Sequence, residues 1–227
     1  AKSLGVDFII CDHHTPGDTL PDASAVLDPK RVDCNYPYKE LSGCGVGFKL
    51  AQAMAAKLGL AFEEVVPFLD LTVLSIASDI VPITGENRAL AYFGLQVINQ
   101  NPRTGIKTIL QQVKKDTFTI TDVVFIIAPR INAAGRMKHG NHAVTLLTET
   151  DFNLAAEYAT EIEQFNLDRR EADKRITEEA LKQIEEQNEQ DRITTVVYHK
   201  DWHKGVIGIV ASRLTETYYR PTLVFTK

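Results

Sequence analysis

Three adjacent side chains with metal-binding chemistry, Asp12, His13 and His14, directly follow a short apolar segment near the start of the chain. That segment, residues 8–11, has no polar break, which is typical of a strand covered on both faces in a parallel sheet. Parallel sheets bind ligands at the carboxyl ends of their strands, where this triplet lies. One carboxylate and two imidazoles suit Mn²⁺, Mg²⁺ or Zn²⁺. The sequence therefore predicts metal-dependent phosphate chemistry here, with a turn or helix cap as the alternative role of Asp12.

A second carboxylate with metal-binding potential, Asp79, follows a mainly apolar segment at residues 69–77. The pattern predicts a core helix within residues 62–79, broken near Pro67. Asp79 would lie at the C-terminal end of that helix, where the helix dipole disfavours a carboxylate unless a cation or hydrogen bonds compensate. We interpret Asp79 as a metal ligand, with a turn-forming Asp before Pro82 as the alternative.

Two arginines, Arg130 and Arg136, bracket a segment of small residues that contains a glycine, and this composition predicts a turn. Guanidinium groups bind phosphate in a bidentate manner, so the pair is a candidate phosphate-binding element. The alternative is that both side chains cap carbonyl groups at a helix end. His139 and His142 have a spacing that permits metal chelation, but no carboxylate or cysteine accompanies them, which favours a polar turn.

The composition narrows the class of protein. With 227 residues and 44% hydrophobic content, the chain can form one large or two small globular domains. The net charge of −5 is local, because residues 151–192 carry 13 acidic and 6 basic side chains; the weakly basic remainder permits a phosphate-rich ligand. Cys11, Cys34 and Cys44 form neither a zinc-ribbon pattern nor an even disulfide set, which predicts a reducing, cytoplasmic setting.

Periodicity and turn residues predict the other elements of the first part of the chain. We expect a capped helix start at Thr121 and Asp122. Glycines 43, 45 and 47, at the start of the first predicted helix, can serve either close helix packing or contact with a phosphate. The predicted elements are a strand at residues 25–27 and helices at residues 46–60, 87–99 and 105–114.

A long segment without glycine or proline, residues 141–204, dominates the second part. Apolar residues recur there every three or four positions, with one interruption at Arg169, which predicts a helix of about 35 to 40 residues, about 55 Å long. A helix of this length is typical of a connector between two lobes. A strand at 193–197, a helix at 205–214 and a strand at 221–226 would follow, which together make half of an α/β domain.

Four motifs in order carry a resemblance to a known family: DHH at a strand end, SDIVPITGENR, RINAAGRM, and HKDWHKGVIGIVASRL after the long helix. With them the chain resembles the DHH phosphoesterase superfamily and, within it, the RecJ-type single-strand-specific DNA exonucleases. LSGCGVGFKLAQAM is also similar to that family. The resemblance implies an α/β fold in three parts. These are a parallel-sheet DHH domain with helices on both faces, lacking its N-terminal strands (1–150), a connector helix (151–192), and a truncated DHHA1-like second lobe (193–227).

The resemblance also implies roles for the motif residues. Asp12, His13, His14 and Asp79 are expected to be catalytic, with His13 a metal ligand and Asp79 a bridge between two Mn²⁺ or Mg²⁺ ions. His14 is expected near the scissile phosphate, and Asp12 is expected to orient the histidines or touch the metal site. The family's DxD motif and one further strand-end aspartate are not found in this chain, so we expect weak metal binding and little nuclease activity from it alone.

Substrate groups follow from the same resemblance. Residues of two motifs are expected to contact nucleotide phosphates or the cleft: Arg130, Asn132, Arg136, His203, Lys204 and Gly205. The implied activity is 5′-to-3′ degradation of single-stranded DNA in repair and recombination, with a helicase and a single-strand-binding protein as partners and no membrane involvement. Two alternatives stay open, a DHH phosphoesterase for oligoribonucleotides or cyclic dinucleotides and a non-catalytic nucleic-acid-binding relative. Tyr36, Tyr38 and Trp202 are candidates for base stacking, for a lid or for the core.

Overall fold

The computed structural model describes residues 1–113 and 115–227. Within this part of the chain, no helix is both long enough and apolar enough to cross a membrane. The chain forms two compact units, which we call unit 1 (residues 1–129 and 149–152) and unit 2 (residues 130–148 and 153–227).

Unit 1 contains a short parallel sheet at the predicted place. Strand β1 (Ile9–Cys11) pairs with β2 (Ala25–Leu27), and Ile9 lies opposite Ala25. The predicted parallel arrangement is confirmed. The expected burial on both faces is wrong for this chain, because Phe8 is 53% exposed and Ile9 is 55% exposed. The reason is that the described residues add no further strand to this sheet.

The first helix of unit 1 differs from prediction at its start. Helix α1 (Gly43–Lys57) begins three residues before the predicted start, because the Ser42 hydroxyl caps it by accepting a hydrogen bond from the Gly45 N–H at 3.1 Å. The glycines at 43 and 45 therefore lie within the first helical turn and not in a preceding loop.

The predicted break near Pro67 is observed. Two 3₁₀ turns, Phe62–Glu64 and Val66–Phe68, precede helix α2 (Leu69–Asp79). Val73 and Ile76 of α2 are fully buried, so the predicted core helix is observed. Helix α3 (Gly85–Gln100) packs closely against it, because a Cβ at Gly94 would lie 2.5 Å from the Leu69 carbonyl oxygen.

The other regular elements of unit 1 are helices. Helix α4 (Thr104–Gln111) corresponds to the predicted helix at 105–114, whose expected end, Lys114, lies outside the described residues. A short helix α5 (Ile120–Asp122) and a π-helical turn (Val123–Ile127) follow. The cap of α5 is Thr119 and not Thr121. Thr119 and Asp122 form a reciprocal capping box, which satisfies two backbone donors at once.

Unit 2 contains the long helix. The segment from Arg130 to Arg136 is not a turn but part of helix α6 (Ala128–Met137), whose small residues Ala133 and Ala134 are fully buried and permit close packing. The other elements are α7 (Asn141–Thr148), α8 (Phe152–Glu186), β3 (Thr195–Tyr198), α9 (Ile207–Tyr218) and β4 (Thr222–Phe225). Strands β3 and β4 are parallel, as in β1 and β2.

The 35-residue helix α8 confirms the predicted length. Its C-terminal half also belongs to the core of unit 2. Ile176, Ala180 and Ile184 form one buried cluster with Trp202 and Val210. This half of α8 therefore anchors the elements that follow it.

Candidate metal centre

The Asp-His-His triplet lies at the carboxyl end of β1. The Asp12 backbone N–H donates a hydrogen bond to the Leu27 carbonyl at 2.9 Å, which extends the pairing with β2 by one step and fixes where the triplet starts. One possible ligand atom from each of Asp12, His13 and His14 lies within 4.8 Å of the others. The sheet therefore presents three metal-ligating groups at the place where parallel sheets bind ligands.

Asp12 organises the triplet through a single carboxylate oxygen. Its Oδ1 accepts hydrogen bonds from the backbone N–H groups of His13 at 2.7 Å and His14 at 3.3 Å, and lies 2.7 Å from His14 Nδ1. The hydrogen bond with the His14 ring is the main cause that lowers the pKa of Asp12, so this group is a carboxylate at neutral pH. Asp12 thus accepts the hydrogen bonds of a turn and also contacts the His14 ring.

Asp79 and His13 converge in space. His13 Nε2 lies 2.9 Å from Asp79 Oδ2, and the exposed fractions of the two side chains are 13% and 44%. The two residues are far apart in sequence, and each carries an atom of the type that binds divalent cations. The end of β1 and the end of α2 thus bring a nitrogen and a carboxylate oxygen to one point.

Two neighbouring elements hold this point in place. Helix α1 begins beside His13, because a Cβ at Gly43 would lie 3.6 Å from His13 Cδ2. The Cys44 N–H donates a hydrogen bond to Ser75 Oγ of α2 at 3.3 Å. The start of α1 therefore contacts both the helix that carries Asp79 and the imidazole that faces it.

Hydrogen bonds hold the segment after Asp79 in place, and the sequence did not predict these contacts. Ile80 ends α2 in the left-handed region with φ 54°, an unfavourable conformation for a β-branched residue. The next residues are held through the Pro82 carbonyl, which accepts hydrogen bonds from Tyr38 Oη at 3.2 Å and Asn87 Nδ2 at 3.0 Å. Asn87 is fully buried. Its place within SDIVPITGENR was the available signal.

The three aromatic candidates, Tyr36, Tyr38 and Trp202, each contact a defined partner. Tyr38 packs its ring against Gly85, where a Cβ would come within 2.6 Å of the ring. The Tyr36 hydroxyl donates a hydrogen bond to Glu86 at 2.7 Å, and burial, more than this bond, raises the pKa of Tyr36 to about 12. Trp202 is buried, and its Nε1 donates to Glu179 at 2.7 Å, so it is a core residue of unit 2.

The predicted substrate residues lie in unit 2, and three of them meet. Arg136 Nη1 donates a hydrogen bond to the Gly205 carbonyl at 3.3 Å, and the Gly205 N–H donates to His203 Nδ1 at 3.1 Å. Only glycine fits at 205, because a Cβ would lie 2.1 Å from the Arg136 carbonyl oxygen. Asn132 and Lys204 are exposed.

Arg130 differs from Arg136 in its electrostatics. Its Nε lies 2.6 Å from Glu163 Oε2 in a partly buried ion pair, so much of its charge is neutralised within unit 2.

His142 lies 3.3 Å from Glu161, and neither His139 nor His142 belongs to a cluster of three possible metal ligands among the described residues. His139 lies in the turn before α7, whereas His142 lies within α7 (Asn141–Thr148), so the favoured polar turn is observed for His139 only.

The donor set fits the divalent ions that were predicted. Asp12, His13 and His14 form a group at the end of β1, and Asp79 contacts this group through His13, without a thiolate ligand among these four residues. Oxygen and imidazole ligands suit Mn²⁺, and carboxylates suit Mg²⁺. The half-exposed Asp79 leaves the pair accessible to an ion from solvent.

Comparison with known proteins finds a family match for the first third of the chain. Residues 1–76 match the model of the DHH family, N-terminal domain. This part of the chain contains both strands of the first sheet, the Asp-His-His triplet and α2 up to Ile76. The predicted resemblance to the DHH superfamily is confirmed.

The particular resemblance is to RecJ. The chain is 41% identical over 226 residues to the single-stranded-DNA-specific exonuclease RecJ of Bacillus subtilis (strain 168), covering 99% of this chain and 28% of that protein. The crystal structure of RecJ in complex with Mn²⁺ from Thermus thermophilus matches with a TM-score of 0.87 at 31% identity, covering 99% of this chain and 33% of that one.

A second structure supports the same relationship. RecJ in complex with Mg²⁺ from Thermus thermophilus matches with a TM-score of 0.84 at 31% identity, over 98% of this chain and 33% of that chain. The predicted RecJ-type resemblance and the α/β fold are therefore confirmed. The chain spans between 28% and 33% of the length of these two relatives.

Proposed function

We propose that this chain supplies part of the catalytic region of a metal-dependent exonuclease specific for single-stranded DNA, as its RecJ relatives are named. One observation carries the proposal. His13 Nε2 and Asp79 Oδ2 lie 2.9 Å apart beside the Asp12–His14 pair. The chain that carries this arrangement is similar to RecJ over 99% of the chain's own length.

Each residue of the centre has a proposed role. His13 and Asp79 would hold Mn²⁺ or Mg²⁺, and by resemblance Asp79 would serve two such ions. The chemistry that such ions supply is activation of water and neutralisation of charge on the phosphodiester. Because Asp12 engages His14 Nδ1, Nε2 is the nitrogen left to meet a phosphate oxygen. The Asp12 carboxylate would hold that ring in place while His14 contacts the phosphate.

Groups of unit 2 would contact the rest of the strand. We assign this role to Arg130, Asn132, Arg136, His203, Lys204 and Gly205 by resemblance. Among the arginines, Arg136 is the stronger candidate, because Glu163 already pairs with Arg130. The three-part division into residues 1–150, 151–192 and 193–227 stays a prediction of the same kind.

The finer functional assignments are also predictions from the resemblance. They comprise 5′-to-3′ polarity, a role in DNA repair and recombination, and cooperation with a helicase and a single-strand-binding protein. A reducing, cytoplasmic location stays a prediction from the three cysteines, Cys11, Cys34 and Cys44, which are free thiols.

The test is digestion of a labelled single-stranded DNA by the full-length protein with Mn²⁺. We expect His13→Ala to reduce the rate by at least about 100-fold, because a ligand of the catalytic ion is lost. His139→Ala, a histidine outside the centre, is the matched control and should digest like wild type. Unchanged digestion by His13→Ala would remove the catalytic assignment.

Substrate choice separates the related activities. Wild-type protein should degrade single-stranded DNA faster than a duplex, a short RNA or a cyclic dinucleotide. Faster hydrolysis of RNA or of a cyclic dinucleotide would indicate another DHH phosphoesterase. Strand binding without any hydrolysis would indicate a non-catalytic relative.

A further inference from the structure

A cavity of about 450 Å³ in unit 2 is bordered mainly by basic side chains. Helix α8 provides most of them and α9 provides one. Four basic and two acidic side chains line it: Arg169, Arg170, Lys174, Arg213, Asp173 and Glu178. The excess of positive charge makes an anion the expected occupant.

One of the two acidic groups does not compete for such an anion. Asp173 is buried, and its two carboxylate oxygens accept hydrogen bonds from Arg213 Nε at 2.8 Å and Nη2 at 2.7 Å. This bidentate ion pair neutralises both partners. Glu178 is exposed to solvent. The remaining basic groups, Arg169, Arg170 and Lys174, therefore face the cavity without a buried counter-charge.

Arg169 is held in an electrostatically unfavourable place. It occupies the interrupted position in the apolar repeat of α8 and is half-buried, and its Nη2 donates a hydrogen bond to the buried Asn166 at 2.9 Å. Burial lowers the pKa of Arg169, and repulsion from Arg136 and Arg170 lowers it further, while Asp173 opposes both effects. A bound anion would relieve this repulsion.

A hydroxyl group on the same helix face gives a second, independent indication. Thr177 lines the cavity, and its Oγ1 is buried without a hydrogen-bond partner among the described residues. An unsatisfied buried hydroxyl is unfavourable unless a ligand or water completes it. Thr177 follows Arg170 and Lys174 at helical spacings, so these three side chains lie along one face of α8.

We propose that the cavity bounded by Arg169, Arg170, Lys174 and Thr177 binds a phosphate group of the single-stranded DNA. Guanidinium and ammonium groups with a hydroxyl donor form a typical phosphate-binding set. The inference rests on the proposed function for the identity of the strand. It adds to that function a phosphate-binding site made by the long helix, whose residues the motif resemblance did not assign.

The experiment measures binding of a fluorescent oligothymidylate to the full-length protein by anisotropy, without divalent cations, so that hydrolysis does not contribute. Arg170→Gln should weaken binding about tenfold and lower the slope of log affinity against log salt by about 1, as expected for one lost phosphate contact. Arg170 is exposed and makes no hydrogen bond or ion pair with the described residues, so the variant should fold.

The matched control is Lys182→Gln. Lys182 is also an exposed cation of α8, but it does not line the cavity and pairs with Glu186 at 3.5 Å. Its affinity and salt slope should equal those of wild type. If the two variants weaken binding equally, general electrostatic attraction explains the effect and the proposed site is wrong.

Thr177→Val tests the site without a change in charge. Loss of the hydroxyl should weaken strand binding about threefold, the size expected for a single neutral hydrogen bond. The free energy of unfolding should stay equal or rise, because a buried unsatisfied group is removed. Unchanged strand binding by both Arg170→Gln and Thr177→Val would overturn the proposal.

Competition distinguishes a strand phosphate from a free anion. Inorganic phosphate and pyrophosphate should displace the oligonucleotide from the wild-type protein. They should not displace it from Arg170→Gln. Binding of phosphate without any strand binding by wild type would indicate a site for small anions only and refute the strand assignment. Digestion by His13→Ala is a separate measurement, so failure of the cavity proposal and failure of the nuclease proposal are distinguishable.

Discussion

Asp79 in unit 1 and Asp173 in unit 2 both contact a basic side chain, but their environments differ. Asp79 is 44% exposed and contacts His13 through one oxygen at 2.9 Å. Asp173 is 4% exposed, and Arg213 occupies both of its oxygens. Asp173 is therefore satisfied within the fold, whereas Asp79 keeps coordination capacity for a ligand. The comparison teaches that pairing and burial, more than residue type, separate a carboxylate that is satisfied within the fold from one that is available to a ligand.

Asp173→Asn should have the largest effect on stability. The variant leaves the Arg213 guanidinium beside a neutral amide, and we expect the free energy of unfolding to fall by about 2 to 3 kcal/mol. Urea unfolding followed by fluorescence measures this loss. Trp202 is the single tryptophan of the chain and lies in the core cluster of unit 2, so it reports on the affected unit.

Asp79→Asn should weaken metal binding without lowering the stability of the fold. The affinity for Mn²⁺, measured by titration of the full-length protein, should fall by at least about tenfold. The free energy of unfolding should stay equal or rise by up to about 1 kcal/mol, because a negative charge is removed from a helix C-terminus. The exposed Asp18→Asn serves as control for both measurements. The comparison fails if Asp79→Asn destabilises the chain as much as Asp173→Asn does.

The residues of the candidate metal centre are more predictable from sequence than the contacts that hold them in place. Asp12, His13 and His14 stand out because an apolar strand leads directly into them, and local sequence determines strand ends. Asp79 stands out because a carboxylate at a helix C-terminus needs compensation. The contacts of Tyr38 and the role of Thr119 as a cap were missed, because both depend on the exact positions of turns.

The cavity of unit 2 shows a different limit of sequence reasoning. Acidic and basic residues alternate along α8, and on a long helix this pattern usually indicates a face exposed to solvent. Arg213 reaches Asp173 from 40 positions away, and this pairing leaves Arg169 and Arg170 without a buried counter-charge. Only the packing of α9 against α8 determines which charges cancel, so the imbalance is not visible in the sequence.

Two glycines sharpen the comparison of the units. Gly205→Ala in unit 2 should lower the free energy of unfolding by about 1 to 3 kcal/mol, because the new Cβ would lie 2.1 Å from the Arg136 carbonyl oxygen. Gly43→Ala, beside His13 in unit 1, adds a contact at an ordinary 3.6 Å within a helix and should change stability little or raise it by up to about 1 kcal/mol. Equal losses in urea unfolding would contradict the close approach at Gly205.

The smallest expected effect is a loss of stability at acid pH that depends on Asp122. Asp122 lies at the start of a helix, whereas Asp79 lies at the end of one. Asp122 lies in the first turn of α5, where hydrogen bonds from Lys115 and then from Thr119 lower its pKa from 3.8 to about 2. Because folding lowers the pKa, the contribution of the charge to stability is complete above about pH 4 and is lost as the pH falls towards 2. Asp122 is thus a third kind of carboxylate, one that stabilises the fold through its charge at a helix start.

Asp122→Asn should therefore be less stable than wild type at pH 6, and the difference should shrink as the pH falls from 4 to 2. Urea unfolding at a series of pH values measures this difference. Asp18→Asn, which changes an exposed aspartate, is the control and should differ little from wild type at pH 6. Because only a charged Asp122 can pair with Lys115, a gap for Asp122→Asn that stays constant down to pH 2 would show that the hydrogen bonds of the cap, and not the charge, stabilise this helix start.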